Sequence, residues 1–214
     1  MNAKIYFVSG IDTGIGKTYA TGFLAKIWNE QGIRTITQKL IQTGNTEHSE
    51  DIEQHRALMG CGWLAEDELK LTMPEIFTYP ASPHLAAELD GRAIDFDKIQ
   101  MATKTLALDY DRVLLEGAGG LMVPLTRTIQ TIDYIVQQKL PVILVTSGRL
   151  GSINHTLLSL AALKQHHVQL YALAFNHADD VQDRVIAQDT IQYLKAHLSA
   201  HFPTTLWIDI PQLS

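Results

Sequence analysis

Cysteine and positive charge are scarce in this sequence. The 214 residues include one cysteine, Cys61, which excludes a disulfide framework and any zinc or iron–sulfur site built from several cysteines. Lys and Arg together number 17 against 23 Asp and Glu, giving a formal net charge of −6. A surface that binds nucleic acid needs a dense basic face, so we expect no nucleic-acid partner.

Long hydrophobic runs are also missing. No apolar run reaches the roughly 20 residues that span a bilayer, and Met1–Gly10 lacks the basic stretch and cleavage site of a signal peptide. We therefore expect no membrane partner and a cytoplasmic location. With 46% hydrophobic and 19% charged residues, the chain is not of the disordered class. Its length predicts a single domain over residues 1–214.

Short apolar runs alternate with longer amphipathic stretches. Ile5–Val8 and Val142–Val145 have the pattern of buried strands, and Ala20–Glu30 and Ile153–Gln165 have helical spacing. This alternation predicts an α/β fold of three layers, with a mostly parallel sheet covered by helices on both faces. Gly60–Gly91 is the least regular stretch and is expected to run over the surface. The other predicted strands are Ile33–Ile41, Val113–Leu115, Leu170–Phe175 and Leu206–Ile208. The other predicted helices are Asp51–Met59, Phe96–Leu108 and Val181–Leu198.

A glycine-rich segment, Gly10–Thr18, follows the first predicted strand and opens the first predicted helix. This is the context of a P-loop, in which glycines turn backbone N–H groups toward phosphates and the helix N-terminus adds its positive dipole end. Five residues separate Gly10 from Gly16, one more than in the common motif. The segment predicts a P-loop NTPase-type fold that binds a nucleotide such as ATP. The loop residues expected at the nucleotide are Thr13, Gly14, Ile15, Gly16, Lys17 and Thr18.

Two carboxylates are candidates for holding a metal ion. Glu116 ends a predicted strand before a glycine-rich turn, which is the place of a Walker B acid. Mg²⁺ usually takes one or two carboxylates besides phosphates, so Asp51, near a predicted helix start, is the second candidate. Asp51 could equally serve only to stabilise that helix start. Lys39 stands near the end of the second predicted strand and could stabilise charge during group transfer, although most lysines are simply solvated.

Five short motifs follow one another along the chain. They are Gly10–Thr18 (G-x-D-T-x-x-G-K-T), Lys39 with Thr43-Gly44, Ser82–Ala87 (S-P-H-x-A-A), Glu116–Gly120 (E-G-A-G-G) and Leu150–His155 (L-G-x-I-N-H). In this order they resemble the motifs of the dethiobiotin synthetase family. The resemblance implies an ATP- and Mg²⁺-dependent ligase of biotin synthesis. Its substrates would be 7,8-diaminononanoate and CO₂, and its products dethiobiotin, ADP and phosphate.

The resemblance also implies residue roles and a homodimer. The turn at Gly151 would offer N–H groups to the substrate carboxylate in the other subunit, although the same turn could merely cap a helix. The residues implied are Lys17 and Lys39 for catalysis; Thr18, Asp51 and Glu116 for Mg²⁺; Gly117, Ala118, Gly119, Asn176, His177 and Pro211, besides the loop, for the nucleotide; and Thr43, Gly151, Ser152, Ile153 and Asn154 for the substrate.

A nucleotide-dependent switch is the alternative function. The segment Asn176–Asp179 is similar to the N-K-x-D guanine motif, with His in place of Lys. The simpler interpretation is that Asp179 and Asp180 start the next helix. A partition-type ATPase would carry a lysine early in its loop, where Asp12 and Thr13 stand here. Preference for ATP or GTP would help to distinguish these functions.

Overall fold

The computed structural model describes residues 4–179 and 183–212. Within them the strands are β1 (Ile5–Gly10), β2 (Thr35–Lys39), β3 (Gln42–Thr43), β4 (Ile76–Phe77), β5 (Arg112–Gly120), β6 (Val142–Ser147), β7 (Leu170–Asn176) and β8 (Leu206–Ile210). The helices are α1 (Lys17–Glu30), α2 (Glu50–Met59), α3 (Ala65–Glu68), α4 (Pro83–Leu89), α5 (Phe96–Asp109), α6 (Thr131–Gln138), α7 (Ser152–Gln165) and α8 (Arg184–His201).

Six strands form one parallel sheet in the order β2-β5-β1-β6-β7-β8. Side chains alternate across β1: Phe7 belongs to a buried cluster with residues of α5, α6, α7 and α8, whereas Tyr6 and Val8 pack with Leu24 and Trp28 of α1. The sheet is thus covered by helices on both faces, as the sequence predicts. Because all six strands run the same way, the segments that follow β1, β2 and β5 meet at one edge.

The stretch Gly60–Gly91 differs from the expected surface excursion. It contains α3, β4 and α4, and β4 pairs in parallel with β3. The backbone N–H of Lys39 donates to the carbonyl oxygen of Thr72 at 2.7 Å, and Met73 and Phe77 are almost fully buried. Its prolines break long elements, but its apolar residues complete the core beside β2.

Several element boundaries also differ from the prediction. β5 extends beyond Leu115 to Gly120, because Gly120 pairs with Gly10 of β1. Helix α6 lies in a stretch where no helix was predicted. The last helix begins at Arg184, and the side chain of Asp183 caps it by accepting from the N–H groups of the second and third residues that follow. Its predicted start, Val181, and Asp180 lie outside the described residues, and Asp179 belongs to a short 3-10 turn. Within residues 4–179 and 183–212, no helix is long and apolar enough to cross a membrane.

A buried ion pair joins α2 to α3. The guanidinium of Arg56 donates to both carboxylate oxygens of Asp67 at 2.8 and 2.7 Å, and both side chains are at most 3% exposed. Burial alone would raise the pKa of Asp67, but Arg56 and Thr72 hold it below its usual range. Replacement of Arg56 by methionine leaves this carboxylate buried without its cation. We expect the free energy of unfolding in urea to fall by about 3–5 kcal/mol.

Arg34→Met is the matched control for that prediction. Arg34 pairs with Asp111 at 3.6 Å, but their side chains are 68% and 50% exposed, so its loss should cost at most about 1 kcal/mol. The pKa of Asp67 is depressed in the folded protein, so its stabilisation exists above about pH 4 and is lost as the pH falls further. The difference in the free energy of unfolding between Arg56→Met and the wild type should therefore become smaller in acid. Equal losses of unfolding free energy in Arg56→Met and Arg34→Met would contradict the stabilising role of the buried pair.

Candidate functional site

The loop between β1 and α1 is tightly wound. Gly14 and Gly16 have φ values of 71° and 89°, which glycine adopts without strain. A Cβ on Gly10 would lie 2.6 Å from Cγ2 of Ile15, so a larger residue would push the loop apart. Gly16 is the N-cap of α1, and no side chain among the described residues caps this helix. Its first N–H groups are therefore left for an anion such as a phosphate.

Lys17, the first residue of α1, lies inside this loop. It is only 7% exposed, and its Nζ donates to the carbonyl oxygen of Asp12 at 3.1 Å. Burial lowers the pKa of Lys17, while Glu116 favours its charged form and Lys39 opposes it. A phosphate beside Nζ would favour the charged form further.

Four side chains from four elements meet beside the loop. Oγ1 of Thr18, on α1, lies 2.9 Å from Oδ1 of Asp51, on α2, and 3.1 Å from Oε1 of Glu116, on β5. Nζ of Lys39, at the end of β2, lies 2.8 Å from the same Oε1 and pairs with Oδ2 of Asp51. The parallel register places Lys39 directly opposite Glu116. The structure thus brings together the three residues proposed from the sequence for the metal ion and the lysine proposed to stabilise charge, Lys39.

The charges of this cluster stabilise one another. Burial alone would raise the pKa of Glu116, but the charge of Lys39 and a hydrogen bond from His55 hold it well below its usual range. Burial by itself would lower the pKa of Lys39, but Glu116 and Asp51 raise it above its ordinary value. Glu116 and Lys39 are therefore an ion pair at neutral pH. Asp51 also lies in the first turn of α2, so its two proposed roles are compatible.

These groups line a cavity of about 420 Å³ beside the glycine loop. The residues predicted from the sequence that line this cavity are Thr13, Gly14, Gly16, Lys17, Thr18, Lys39, Thr43, Asp51, Glu116, Ala118 and Gly119. Two predicted residues are not part of its lining: Ile15 is buried, and Gly117 lies with its carbonyl oxygen 3.3 Å from Nζ of Lys39.

The turn at the start of α7 lies beside the loop but faces another space. Gly151, Ile153 and Asn154 line an apolar groove of about 710 Å³ together with the first turns of α8, and Ser152 is fully buried. Arg149, two residues before Gly151, reaches back to the carboxylate of Asp12 in the loop. The four residues proposed for the substrate carboxylate therefore do not join the phosphate cavity of their own chain.

Three of the residues implied for the nucleotide, Asn176, His177 and Pro211, lie at the ends of β7 and β8. Asn176 is 4% exposed; its Nδ2 donates to the carbonyl oxygen of Ile15 at 3.0 Å, and its Oδ1 accepts from the N–H of Ala178 at 3.1 Å. His177 pairs with Asp209 of β8 at 2.8 Å, and Pro211 follows that strand. Asn176 thus holds the glycine loop through the carbonyl oxygen of Ile15, and contact of these three residues with the nucleotide stays a prediction.

Sequence reasoning missed several residues at the site. Tyr19, Gln42 and Gln54 line the cavity, Arg149 holds Asp12, and Nε2 of His55 lies 2.9 Å from Oε2 of Glu116. The signal for His55 was present, since it follows Asp51 by four residues on a helix and such residues share a face. The contact of Arg149 joins residues far apart in the chain, which no local pattern reveals.

The architecture and the site together define a P-loop nucleotide-binding domain: a parallel sheet, a glycine loop leading into a helix that begins Lys-Thr, and an acid on the neighbouring strand. Solved structures agree with this fold. The ParA family ATPase of Chlorobium tepidum has a TM-score of 0.54 and 18% identity, covering 99% of this chain and 86% of that chain. The structure of pNOB8 ParA bound to nonspecific DNA has a TM-score of 0.56 and 15% identity, covering 99% and 81%. The predicted fold class is confirmed.

Sequence comparisons define a narrower family. A family model described as an AAA domain, AAA_26, matches residues 4–213. The ATP-dependent dethiobiotin synthetase BioD 2 of Haemophilus ducreyi is 54% identical over 202 residues, covering 94% of this chain and 95% of its own. The enzyme of the same name from Pasteurella multocida is 49% identical over 205 residues, covering 96% of each. This chain belongs to the dethiobiotin synthetase family, which confirms the resemblance of its motifs. The alternative of a nucleotide-dependent switch is not better supported than the ligase, because the ParA proteins share only the fold with this chain.

Proposed function

We propose that this chain is an ATP-dependent dethiobiotin synthetase, a ligase of biotin synthesis. One amine of 7,8-diaminononanoate combines with CO₂ and loses a proton to form a carbamate. A carbamate oxygen takes the γ-phosphoryl group of ATP, which gives a carbamic–phosphoric anhydride and ADP. The second amine attacks the carbonyl carbon and loses a proton, the bond from that carbon to the phosphate oxygen breaks, and the cyclic urea and inorganic phosphate form.

The convergence of two buried lysines on one cavity carries this proposal. The reaction brings a carbamate anion against the phosphates of ATP, so charge repulsion is a main obstacle. Lys17 lies in the loop that would hold the phosphates, and Lys39 and Thr43 line the same cavity. The substrate's own amine is the nucleophile, so positioning and charge stabilisation are the work left to the protein.

The donor set fits Mg²⁺. Thr18, Asp51 and Glu116 offer oxygen atoms only, and the ammonium of Lys39 between the two carboxylates supports the view that this place suits a cation. Among the described residues no group of three or more His, Cys, Asp or Glu could hold a metal ion. Phosphate oxygens would therefore complete the coordination, as is usual for Mg²⁺. When bound, the ion would neutralise charge on the β- and γ-phosphates.

We further propose that residues 1–214 form a single domain that works in the cytoplasm as a homodimer. Leu150 and Val185 line the groove beside the turn at Gly151, and they are 83% and 77% exposed. An apolar patch of this kind favours a partner that covers it. A second copy placed there would bring Gly151 and Asn154 toward the substrate carboxylate of the other subunit. The start of α7 would then supply the N-terminal N–H groups that an anion prefers.

Charge in the groove should disrupt this dimer. We expect the wild type to show about twice the chain mass of 23.8 kDa in light scattering and Leu150→Asp to show the mass of one chain, because an aspartate cannot be buried there without a partner. Leu108→Asp is the control, since Leu108 is 79% exposed on α5 and should leave the mass unchanged. A wild type with the mass of one chain would exclude the homodimer.

The proposed reaction has a direct test. The protein is mixed with ATP, Mg²⁺, carbon-13-labelled bicarbonate and 7,8-diaminononanoate, and dethiobiotin is sought by mass spectrometry. We expect a product that carries the label, together with ADP and phosphate. Samples without ATP or without the diamine should give none. ATP hydrolysis that proceeds without dethiobiotin in the complete mixture would contradict the ligase and favour a nucleotide-dependent switch.

A further inference from the structure

Glu116 is held from two sides in a fully buried position. Its Oε1 contacts Thr18 and Lys39, whereas its Oε2 lies 2.9 Å from Nε2 of His55. His55 has no exposed surface. The two oxygens of this carboxylate therefore have separate partners: Oε1 faces the proposed metal ligand Thr18 and the ammonium of Lys39, and Oε2 contacts His55 of helix α2.

The direction of the hydrogen bond follows from the charge of Glu116. An ionised carboxylate can only accept, so Nε2 of His55 donates to Oε2. The other ring nitrogen, Nδ1, is the one buried side-chain nitrogen or oxygen atom among the described residues that lacks a hydrogen-bond partner. A buried polar atom without a partner destabilises the fold. An apolar side chain would avoid this cost but would leave Oε2 of Glu116 without its donor, so the part played by this histidine lies in its contact with Glu116.

We propose that His55 is a positioning residue, which holds Oε2 of Glu116 so that Oε1 alone is presented to the metal ion and to Lys39. The inference rests on the proposed Mg²⁺ site. Helix α2 carries both Asp51 and His55 on one face, and so sets the positions of both carboxylates. The helix is itself fixed in place: a Cβ on Gly22 of α1 would lie 3.2 Å from Cα of His55, so α1 and α2 are in close contact.

Three substitutions separate positioning from packing. His55→Leu removes the donor and keeps an apolar side chain in the core. His55→Gln can place an amide nitrogen where Nε2 of the ring lies, whereas the shorter amide of His55→Asn reaches only the place of Nδ1. Loss of a partner that orients a metal ligand typically costs about 10–100-fold in metal affinity. We expect this loss for the Leu and Asn variants, and affinity close to that of the wild type for the Gln variant.

The measurement is binding of Mn²⁺, used in place of Mg²⁺ because its free form is counted by electron paramagnetic resonance, in the presence of a non-hydrolysable ATP analogue. Affinity for the analogue in EDTA should be unchanged in every variant. His48→Leu, at an exposed histidine before α2, is the control. Unchanged Mn²⁺ affinity in His55→Leu, or equal affinities of the Gln and Asn variants, would overturn the proposal. The Gln and Asn pair decides the question even where the Leu variant fails to fold. No diamine or bicarbonate is present, so failure of the proposed reaction would appear only in the product assay.

Discussion

Replacement of Lys39 by methionine is expected to lower kcat for dethiobiotin formation by about 10²–10³-fold while changing ATP affinity little. Nζ of Lys39 lies in the cluster with Asp51 and Glu116, and Lys39 lines the same cavity as the glycine loop. In the proposed reaction its charge would act beside the carbamate and the transferred phosphoryl group. Methionine keeps the apolar stem in a site that is 6% exposed, so packing changes little, although Glu116 loses its cation and the free energy of unfolding should fall.

Metal binding gives the Lys39 variant a second signature. The ammonium contacts the same carboxylate oxygens that the metal ion would use, so the methionine variant should bind Mn²⁺ at least as tightly as the wild type. Glu116→Gln should instead weaken Mn²⁺ binding. Lys98→Met is the control, since that side chain is 53% exposed and pairs with Glu75 at 3.3 Å. Turnover by Lys39→Met equal to that of the wild type would refute the catalytic role.

The chemistry at the end of each strand could be read from the sequence, whereas the neighbours of each strand could not. Lys39 and Glu116 were each predicted to follow or end a strand, and a parallel sheet brings such ends to one edge. Their direct contact depends on β2 lying beside β5 with Lys39 opposite Glu116. That neighbour relation links residues 77 positions apart, and apolar periodicity reports only which side chains are buried.

Irregular segments limited the prediction in a second way. Gly60–Gly91 has few long apolar runs, yet Thr72 accepts from the backbone N–H of Lys39 and Phe77 pairs with Thr43. Such short strands gain their stability from tertiary contacts, so local pattern carries little signal for them. The buried face of α2 was missed for a related reason, because Asp51 was considered alone and without His55 on the same face.

Replacement of Lys17 by methionine is expected to abolish measurable turnover and leave the fold intact. The lysine is buried within the loop, where its Nζ has the carbonyl oxygen of Asp12 as a partner. Removal of one partner of a buried, hydrogen-bonded charge pair costs about 2 kcal/mol or more, so affinity for ATP should fall about 30-fold or more, at 1.4 kcal/mol per tenfold. Lys26→Met, an exposed site on the same helix, should behave like the wild type in calorimetric ATP binding and in the product assay.

Arginine should not rescue the Lys17 variant, although it restores the charge. The loop closes so tightly that a Cβ on Gly10 would lie 3.1 Å from Cδ of Lys17, and Nζ lies within hydrogen-bond distance of the loop backbone. A planar guanidinium is wider than an ammonium and binds through a fixed fork. We expect Lys17→Arg to lose turnover nearly as completely as Lys17→Met. Near-normal dethiobiotin formation by Lys17→Met would contradict the proposed mechanism. Near-normal turnover by Lys17→Arg would show that charge alone, without the fit of the side chain in the loop, stabilises the phosphates.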